Sequence, residues 1–534
     1  MQIHNERPDD PYISVDKSIM ERSPAYRVFT PNYFTTQVNV DANGNNIVGD
    51  AGNEPSIAID SSNPDRIVIG WRQFDIVSNN FRQAGNAFSL DGGYEWTNQQ
   101  VLTPGLFRSD PVLDFDAQGN LYYNSLTGGF TCDVFSITDG GQDWGNPVPA
   151  QGGDKQWMRI DRSGGIGDGN NYSYWNSNFS TCNPFNFTRS VNGAQSFENC
   201  VLVDGDPRWG TLAVDADGTL YTVGQNNSGL IVTKSTTAQN PGIPVTFQSV
   251  SSVDLDGELD IGIPMNPAGL LGQAWIDVDI SGGPGHGNVY VLASVNRFSN
   301  GDGGDVMFAK SLDGGLTFSS PIRINNDVGT SAYQWFGTMS VAPNSRIDVI
   351  WLDTRDATNA INSILYYSFS EDQGETWSEN EPISLEFDPS IGYPSQNKMG
   401  DYFDMISDND FAHLAWANTI NGGQDVYYTR ISPFGILGVD ELLVSNDMQI
   451  VTFPNPFSEM ISIEFIINSE EKTLVEVYDL QGRLLTTLLD DVVSGKQRLT
   501  WEGISGSGAK LNSGLYFISI KTETKNKIVK ILLQ

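Results

Sequence analysis

One turn signature recurs along this chain and restricts its fold more than any other feature. The pattern Ser-x-Asp-x-Gly-x-Thr-Trp stands well preserved as SLDGGYEW (89–96), SLDGGLTF (311–318) and SEDQGETW (370–377). It recurs in altered form as SITDGGQDW (136–144) and SVNGAQSF (190–197). The physical logic is a hairpin lock. The Asp accepts backbone N–H bonds inside the turn, Gly takes the position with φ > 0, and the aromatic residue packs between neighbouring sheets. A fixed lock repeated along a chain means repeated structural units, each too small to bury its own core.

A second repeat runs ahead of these turns. A strand with an acidic or aromatic lead is followed by a Gly/Asn/Asp turn and a second strand rich in Tyr and Trp. Seven such units begin at Glu54, Asp110, Lys155, Pro207, Gln273, Gln334 and Gly400. Their spacing of roughly 45–65 residues suits one four-stranded blade each. No long period-3.6 apolar pattern competes with this reading, and 55 Gly residues supply the turns. The expectation is an all-β chain: a β-propeller in which the repeat count favours seven blades. Residues 26–40 are placed to add an outer strand to the seventh unit, which has no Ser-x-Asp-x-Gly turn of its own. After residue 440 the texture changes to a small Ig-like β-sandwich. The expected domains are a segment 1–40, the propeller 41–440 and the sandwich 445–534.

The turns are similar to the Asp-box (BNR) repeats of the sialidase-like β-propellers, and the resemblance covers the first 440 residues. That family suggests six blades, against the seven counted here. In that family the box joins the third and fourth strands, on the face opposite the active site. The C-terminal stretch carries FPNPF (453–457), VEVYDLQGRLL (475–485), NSGLYFISI (512–520) and KIVKILL (527–533). It resembles the C-terminal sorting domain of the type IX secretion system of Bacteroidetes-type bacteria. The resemblance implies export, then release or anchoring at the outer-membrane cell surface, with the type IX machinery as a partner. The polar N-terminus lacks the apolar run of a signal peptide, so an exported chain would be numbered from after its removal. No hydrophobic run has transmembrane length.

The formal charge is −35, with 30 Lys+Arg against 65 Asp+Glu. Residues 445–534 hold 9 basic and 11 acidic side chains, so the first 444 carry −33. That argues against nucleic acid and anionic lipid as partners. Most of it reads as a solvated acidic surface. Hard oxygen ligands also make Asp41, Asn43 and Asn45, and Asp302 with Asp305, candidate calcium loops. No cofactor is required.

If the boxes lie on one face, the first-strand starts and second-to-third-strand loops form the other. The resemblance makes that face the ligand face and implies an exo-acting, sialidase-like glycosidase on extracellular glycans or glycoproteins. Asp401, Tyr402, Asp154 and Asp353 are the catalytic candidates, a Tyr nucleophile needing a carboxylate to take its proton. Arg72, Arg108, Lys155, Trp157, Arg208, Gln334, Trp335, Arg355 and Lys398 are the substrate-binding candidates: rings stack on sugars, and fork-shaped groups hold hydroxyls or a carboxylate. The sequence departs from the family's Phe/Tyr-Arg-Ile-Pro motif; AYRVF at Arg27 and PIRIN at Arg323 are the nearest strings. The same residues also have plain structural roles, since such Trp residues pack between blades and such Asp residues cap turns. A non-catalytic glycan- or protein-binding surface propeller therefore stays open as the alternative. Of three cysteines, Cys132 and Cys182 stand at matching positions before two adjacent third strands and are the expected disulfide. Cys182–Cys200 is the other pairing.

Overall fold

The computed structural model describes residues 8–98, 101–434, 450–453, 457–458, 460–479, 482–506, 508–522 and 526–533. Parts of FPNPF and VEVYDLQGRLL, and the boundary near residue 440, lie outside the described residues. The chain divides into two compact units, Met1–Phe434 and Gly435–Gln534. Among the described residues both are built of β-strands, with single-turn 3-10 helices at Lys17–Ile19 and Ser177–Phe179. No helix there is long and apolar enough to cross a membrane.

The first unit holds seven antiparallel sheets of three or more strands among the described residues. Numbered in chain order, their first strands are Ala51–Ile59, Arg108–Phe115, Trp157–Ile160, Leu212–Val214, Trp275–Val278, Gln334–Val341 and Asp404–Ser407. Each of the first six sheets continues as a meander from that strand. In the seventh, the N-terminal strand Tyr33–Gln37 pairs with Asp425–Ile431 from the far end of the unit, and Arg27–Phe29 pairs beyond it.

Each first strand contacts the first strand of the next sheet, and the seventh contacts the first. The hydrogen bonds explain why. A first strand is a sheet edge, so half its amides lack a partner within the sheet. At six of the seven junctions among the described residues, a side chain on one first strand accepts from an amide on the next. Ser56 Oγ takes Leu113 N at 3.0 Å, and Asp114 Oδ2 takes Ile160 N at 2.9 Å. Thr211 Oγ1 takes Ile276 N at 3.1 Å, and Asp277 Oδ2 takes Val341 N at 2.7 Å. Ser340 Oγ takes Ser407 N at 2.9 Å, and Asp404 Oδ2 takes Ile57 N at 3.1 Å. First strands covered on both sides become wholly buried, as in Arg108–Phe115 and Gln334–Val341.

The repeated turns lock sheets 1, 3, 5 and 6. In the first, Gly93 N donates to Ser89 Oγ at 2.8 Å, while Tyr94 N and Glu95 N donate to Asp91 Oδ1 at 3.0 Å each. The turns at Asp313 and Asp372 repeat this arrangement. Asn192 replaces Asp in the altered copy, and Ala194 adopts φ 58° where Gly stands elsewhere. Gly93 answers a second demand: a Cβ there would stand 2.1 Å from the Tyr428 ring of sheet 7. A cation one residue before the turn Ser, or its equivalent, reaches the turn carbonyl of the next sheet. Arg189 meets Ala238 O at 2.7 Å, Lys234 meets Gly314 O at 2.8 Å, and Lys310 meets Gln373 O at 3.0 Å. Sequence reading missed this basic-Ser pair and a further degenerate turn at Ser235, whose Oγ accepts from Ala238 N at 3.0 Å.

The disulfide joins Cys182 to Cys200, not Cys132 to Cys182. Cys132 is buried against Gly152, whose Cβ would fall 2.2 Å from its Sγ. Cys182 stands in the loop after Asn171–Tyr174, close to the segment that bridges Phe187 through Val201. Burial pushes the Cys132 thiol far up. A thiol reagent should therefore count no reactive cysteine in the native protein, one after denaturation and three after reduction. Reducing the bridge should cost about 3 kcal/mol.

Among its described residues, the second unit holds a hydrogen-bonded five-stranded antiparallel sheet. Its strands Ile461–Tyr478 and Leu484–Trp501 each run 18 residues, with register shifts at Ile467/Glu471 and Val475/Glu476. Ile461, Ile463, Phe465 and Ile467 alternate onto one face and pack with Trp501, Ile518, Ile520 and Ile531.

Candidate functional site

The site is built on a backbone device repeated at the start of the first strands. Glu54, Asp110, Lys155, Trp209 and Phe336 all take φ between 46° and 58°. Register shifts at Asn53/Ser56 and Trp335/Thr338 mark β-bulges there. Such a residue costs of order 1 kcal/mol and re-aims the side chains beside it. In sheet 7 the equivalent is Gly400, at φ 111°, where a Cβ would stand 2.6 Å from Glu54 Cγ.

These leads converge on a charged cluster. Lys155 Nζ of sheet 3 lies 2.6 Å from Asp401 Oδ2 of sheet 7, and Lys398 Nζ lies 2.7 Å from the same oxygen. Lys398 also reaches Glu54 Oε1 at 3.3 Å, and Arg72 Nε reaches Glu54 Oε2 at 3.1 Å. Asp401 Oδ1 accepts Leu270 N at 2.9 Å, and Asp110 Oδ2 accepts Lys155 N at 2.9 Å. No side chain of the five ions is more than 1% exposed. Burial pushes the Glu54 carboxyl up, with Arg72 and Lys398 pulling against it.

An aromatic group packs beside the cluster. The Trp157 ring meets Trp275 at 5.1 Å and Tyr402 at 5.2 Å, each edge to face. Tyr402 OH donates to Pro111 O at 3.0 Å, and burial holds the phenol well above its ordinary value.

The geometry places most of the sequence candidates in the interior. Tyr402 rests its proton on a backbone carbonyl and is wholly buried. Asp401 has both oxygens occupied. Asp353 is buried between Trp351 Nε1, Gln334 Nε2 and Arg355 Nε, at 2.7, 3.1 and 2.8 Å. Trp157 and Trp335 are interior packing, Trp335 donating to Ser363 Oγ at 3.1 Å. Asp154, with its side chain 14% exposed and 3.4 Å from Lys155 Nζ, is the catalytic candidate with the most solvent access.

The remaining cations are matched by carboxylates. Arg108 meets Asp133 at 2.6 Å, Arg208 pairs with Asp206, and Arg355 pairs with Asp353 and, at 3.6 Å, Asp327. Arg82 meets Asp9 of the N-terminal segment at 3.0 Å. The calcium candidates are engaged by protein groups. Asp41 accepts the Asn43 and Asn45 amides at 2.9 and 3.0 Å and pairs with Arg22 at 2.8 Å. Asp305 is held by Arg297 and Asn325, each at 2.6 Å, while Asp302 accepts Gly304 N at 3.2 Å. No group of three or more metal-ligating side chains suited to a metal ion occurs among the described residues.

Buried acids, Glu54 among them, set a pH dependence. Burial raises Asp404 to about 6, and burial with the nearby Asp50 charge raises Asp425 to about 8. The folded chain then keeps protons that the unfolded chain releases near pH 4, so stability falls as pH rises from about 4 towards 8. Asp408 runs the other way. Burial raises it, but the His413 bond and the Phe411 and Asp410 amides outweigh that and hold it at about 2. Its contribution is present above the ordinary carboxylate range and is lost as pH falls towards 2. Thermal unfolding across this range should give a mildly acidic optimum. Asp425→Asn should flatten the alkaline limb and raise stability near pH 8, by on the order of 1 kcal/mol.

Residues 451–534 match the secretion system C-terminal sorting domain. The protein is thereby sorted by type IX secretion and is secreted or held at the cell surface. No curated protein matches the chain. Among solved structures, it is similar to a protein of unknown function from Dyadobacter fermentans at 12% identity, covering 72% of this chain and 98% of that one, TM-score 0.42. It is similar to the Hadza microbial sialidase Hz136 at 11% identity, covering 72% and 66%, TM-score 0.37. PorZ, a type-IX secretion surface component of Porphyromonas gingivalis, is 12% identical over 94% of this chain and 73% of its own, TM-score 0.30. With TM-scores below 0.5, these likenesses carry no function to this chain.

Proposed function

We propose that the protein is a secreted, non-catalytic binding module: a seven-bladed Asp-box propeller delivered to the cell surface by its C-terminal sorting domain. The observation that carries this reading is the burial of Asp401 and Tyr402 with their polar atoms already engaged. A hydrolase needs a carboxylate pair open to substrate, and these groups are spent on binding one sheet to another. The cycle of first-strand contacts and the six lateral hydrogen bonds support seven blades. The pairing of Tyr33–Gln37 with Asp425–Ile431 supports ring closure by the N-terminal segment.

The test is turnover by the full chain on a panel of fluorogenic glycosides that includes a sialoside, with and without calcium. The expected result is no product from any substrate. Product release that Asp401→Asn or Tyr402→Phe abolishes, in variants that still fold, would reverse the reading and establish a glycoside hydrolase.

A further inference from the structure

Away from the buried cluster, the N-terminal segment and the loops of sheets 1 to 3 carry a series of aromatic rings. Tyr12 lies edge-on to Phe81 at 5.3 Å, and Phe81 lies edge-on to Phe107 at 6.3 Å. The backbone turn at Gly128 closes on Phe107, and two residues later Phe130 meets Phe179 at 5.8 Å. Tyr12 is 41% and Phe130 44% exposed, while Phe81, Phe107 and Phe179 are half-buried. A large apolar side chain gains by burial, so its exposure on a loop is unfavourable unless something covers it. Phe130 also takes φ 56°, an outlier for an aromatic residue. The Cys182–Cys200 bridge ties down the chain just beyond Phe179.

The charges around the ridge select the ligand. Arg82 stacks on Phe107 at 4.8 Å, but Asp9 already holds its guanidinium, and Asp133 holds that of Arg108. An anionic ligand would meet cations already matched, on a chain of formal charge −35. Asp9 and Asp133 keep side-chain exposures of 28% and 20%, so their carboxylates can accept hydroxyl hydrogens beside the rings. The exposed rings of Tyr12 and Phe130, with acceptors nearby and the Arg82 and Arg108 cations already matched, are the chemistry of a neutral sugar.

We infer that the ridge formed by Tyr12, Phe81, Phe107, Phe130 and Phe179 docks an uncharged pyranose glycan. The inference rests on the binding-module reading above and gives that module its site and ligand class. The test is affinity electrophoresis of the full chain through gels holding a mixed-linkage β-glucan, a galactomannan or an α-mannan. At least one should retard the protein, and about 0.5 M salt should leave the retardation unchanged. Phe130→Ala and Tyr12→Ala should each weaken it roughly tenfold. Leu312→Ala, on an exposed turn of sheet 5, should not. Retardation by none of the three, retardation indifferent to the ridge variants, or an equal loss in Leu312→Ala would overturn the ridge. Preferential retention by an acidic polysaccharide or a protein would also overturn it. Hydrolysis of the gel polysaccharide, with ridge dependence intact, would instead overturn the non-catalytic reading and leave the ridge standing.

Discussion

Replacing Asp401 with Ala should destabilise the first unit by about 3–5 kcal/mol, seen as a shift in its urea midpoint. The carboxylate is the shared acceptor of Lys155 and Lys398, at 2.6 and 2.7 Å, and takes the Leu270 amide at 2.9 Å. Its removal leaves two buried ammonium groups sharing Glu54 and Asp154 alone among the ion-pair contacts described above. Desolvating a charge without its partner is what makes such changes severe. Lys155→Met should cost less, because Asp401 keeps Lys398. The double change Lys155→Met with Asp401→Leu should recover part of the loss, since an apolar pair removes the stranded charge together with its partner. A loss below about 1 kcal/mol for Asp401→Ala would mean that water reaches the cluster.

The second large effect belongs to Trp157. Truncation to Ala should cost about 3–5 kcal/mol, because the ring is fully buried and contacts both Trp275 and Tyr402. Tyr402→Phe keeps the packing and loses one hydrogen bond to Pro111 O, so it should cost only about 1 kcal/mol. The ratio between these two changes distinguishes an interior packing role from a catalytic one.

Much of this architecture was legible in the sequence because it is carried by local patterns. The Ser-x-Asp-x-Gly turns satisfy their bonds within a few residues, so spacing alone reveals them. The first-strand leads were legible as positions, and Lys155, Lys398 and Asp401 do meet. Their role was not legible. The same Asp reads as a catalyst if the centre is open and as a sheet-to-sheet tie if it is filled, and filling depends on three rings from three sheets. The disulfide failed for a related reason. Matching positions before adjacent third strands do not say which thiol faces inward, and Cys132 packs against Gly152. The aromatic ridge was missed because Phe81, Phe107, Phe130 and Phe179 sit singly in unrelated loops and share no spacing.

Carboxyl footprinting of the native protein, with a water-soluble carbodiimide and an amine followed by peptide mass analysis, reads the burial of the charged cluster. The structure places Glu54 and Asp401 beyond the reagent, while Glu375 and Glu95 keep side-chain exposures of 68% and 58%. Glu375 and Glu95 should be labelled, with Glu54 and Asp401 untouched until the first unit unfolds. Native-state labelling of Asp401 at a rate near that of Glu375 would contradict that burial, and would return the cluster to consideration as an open active site.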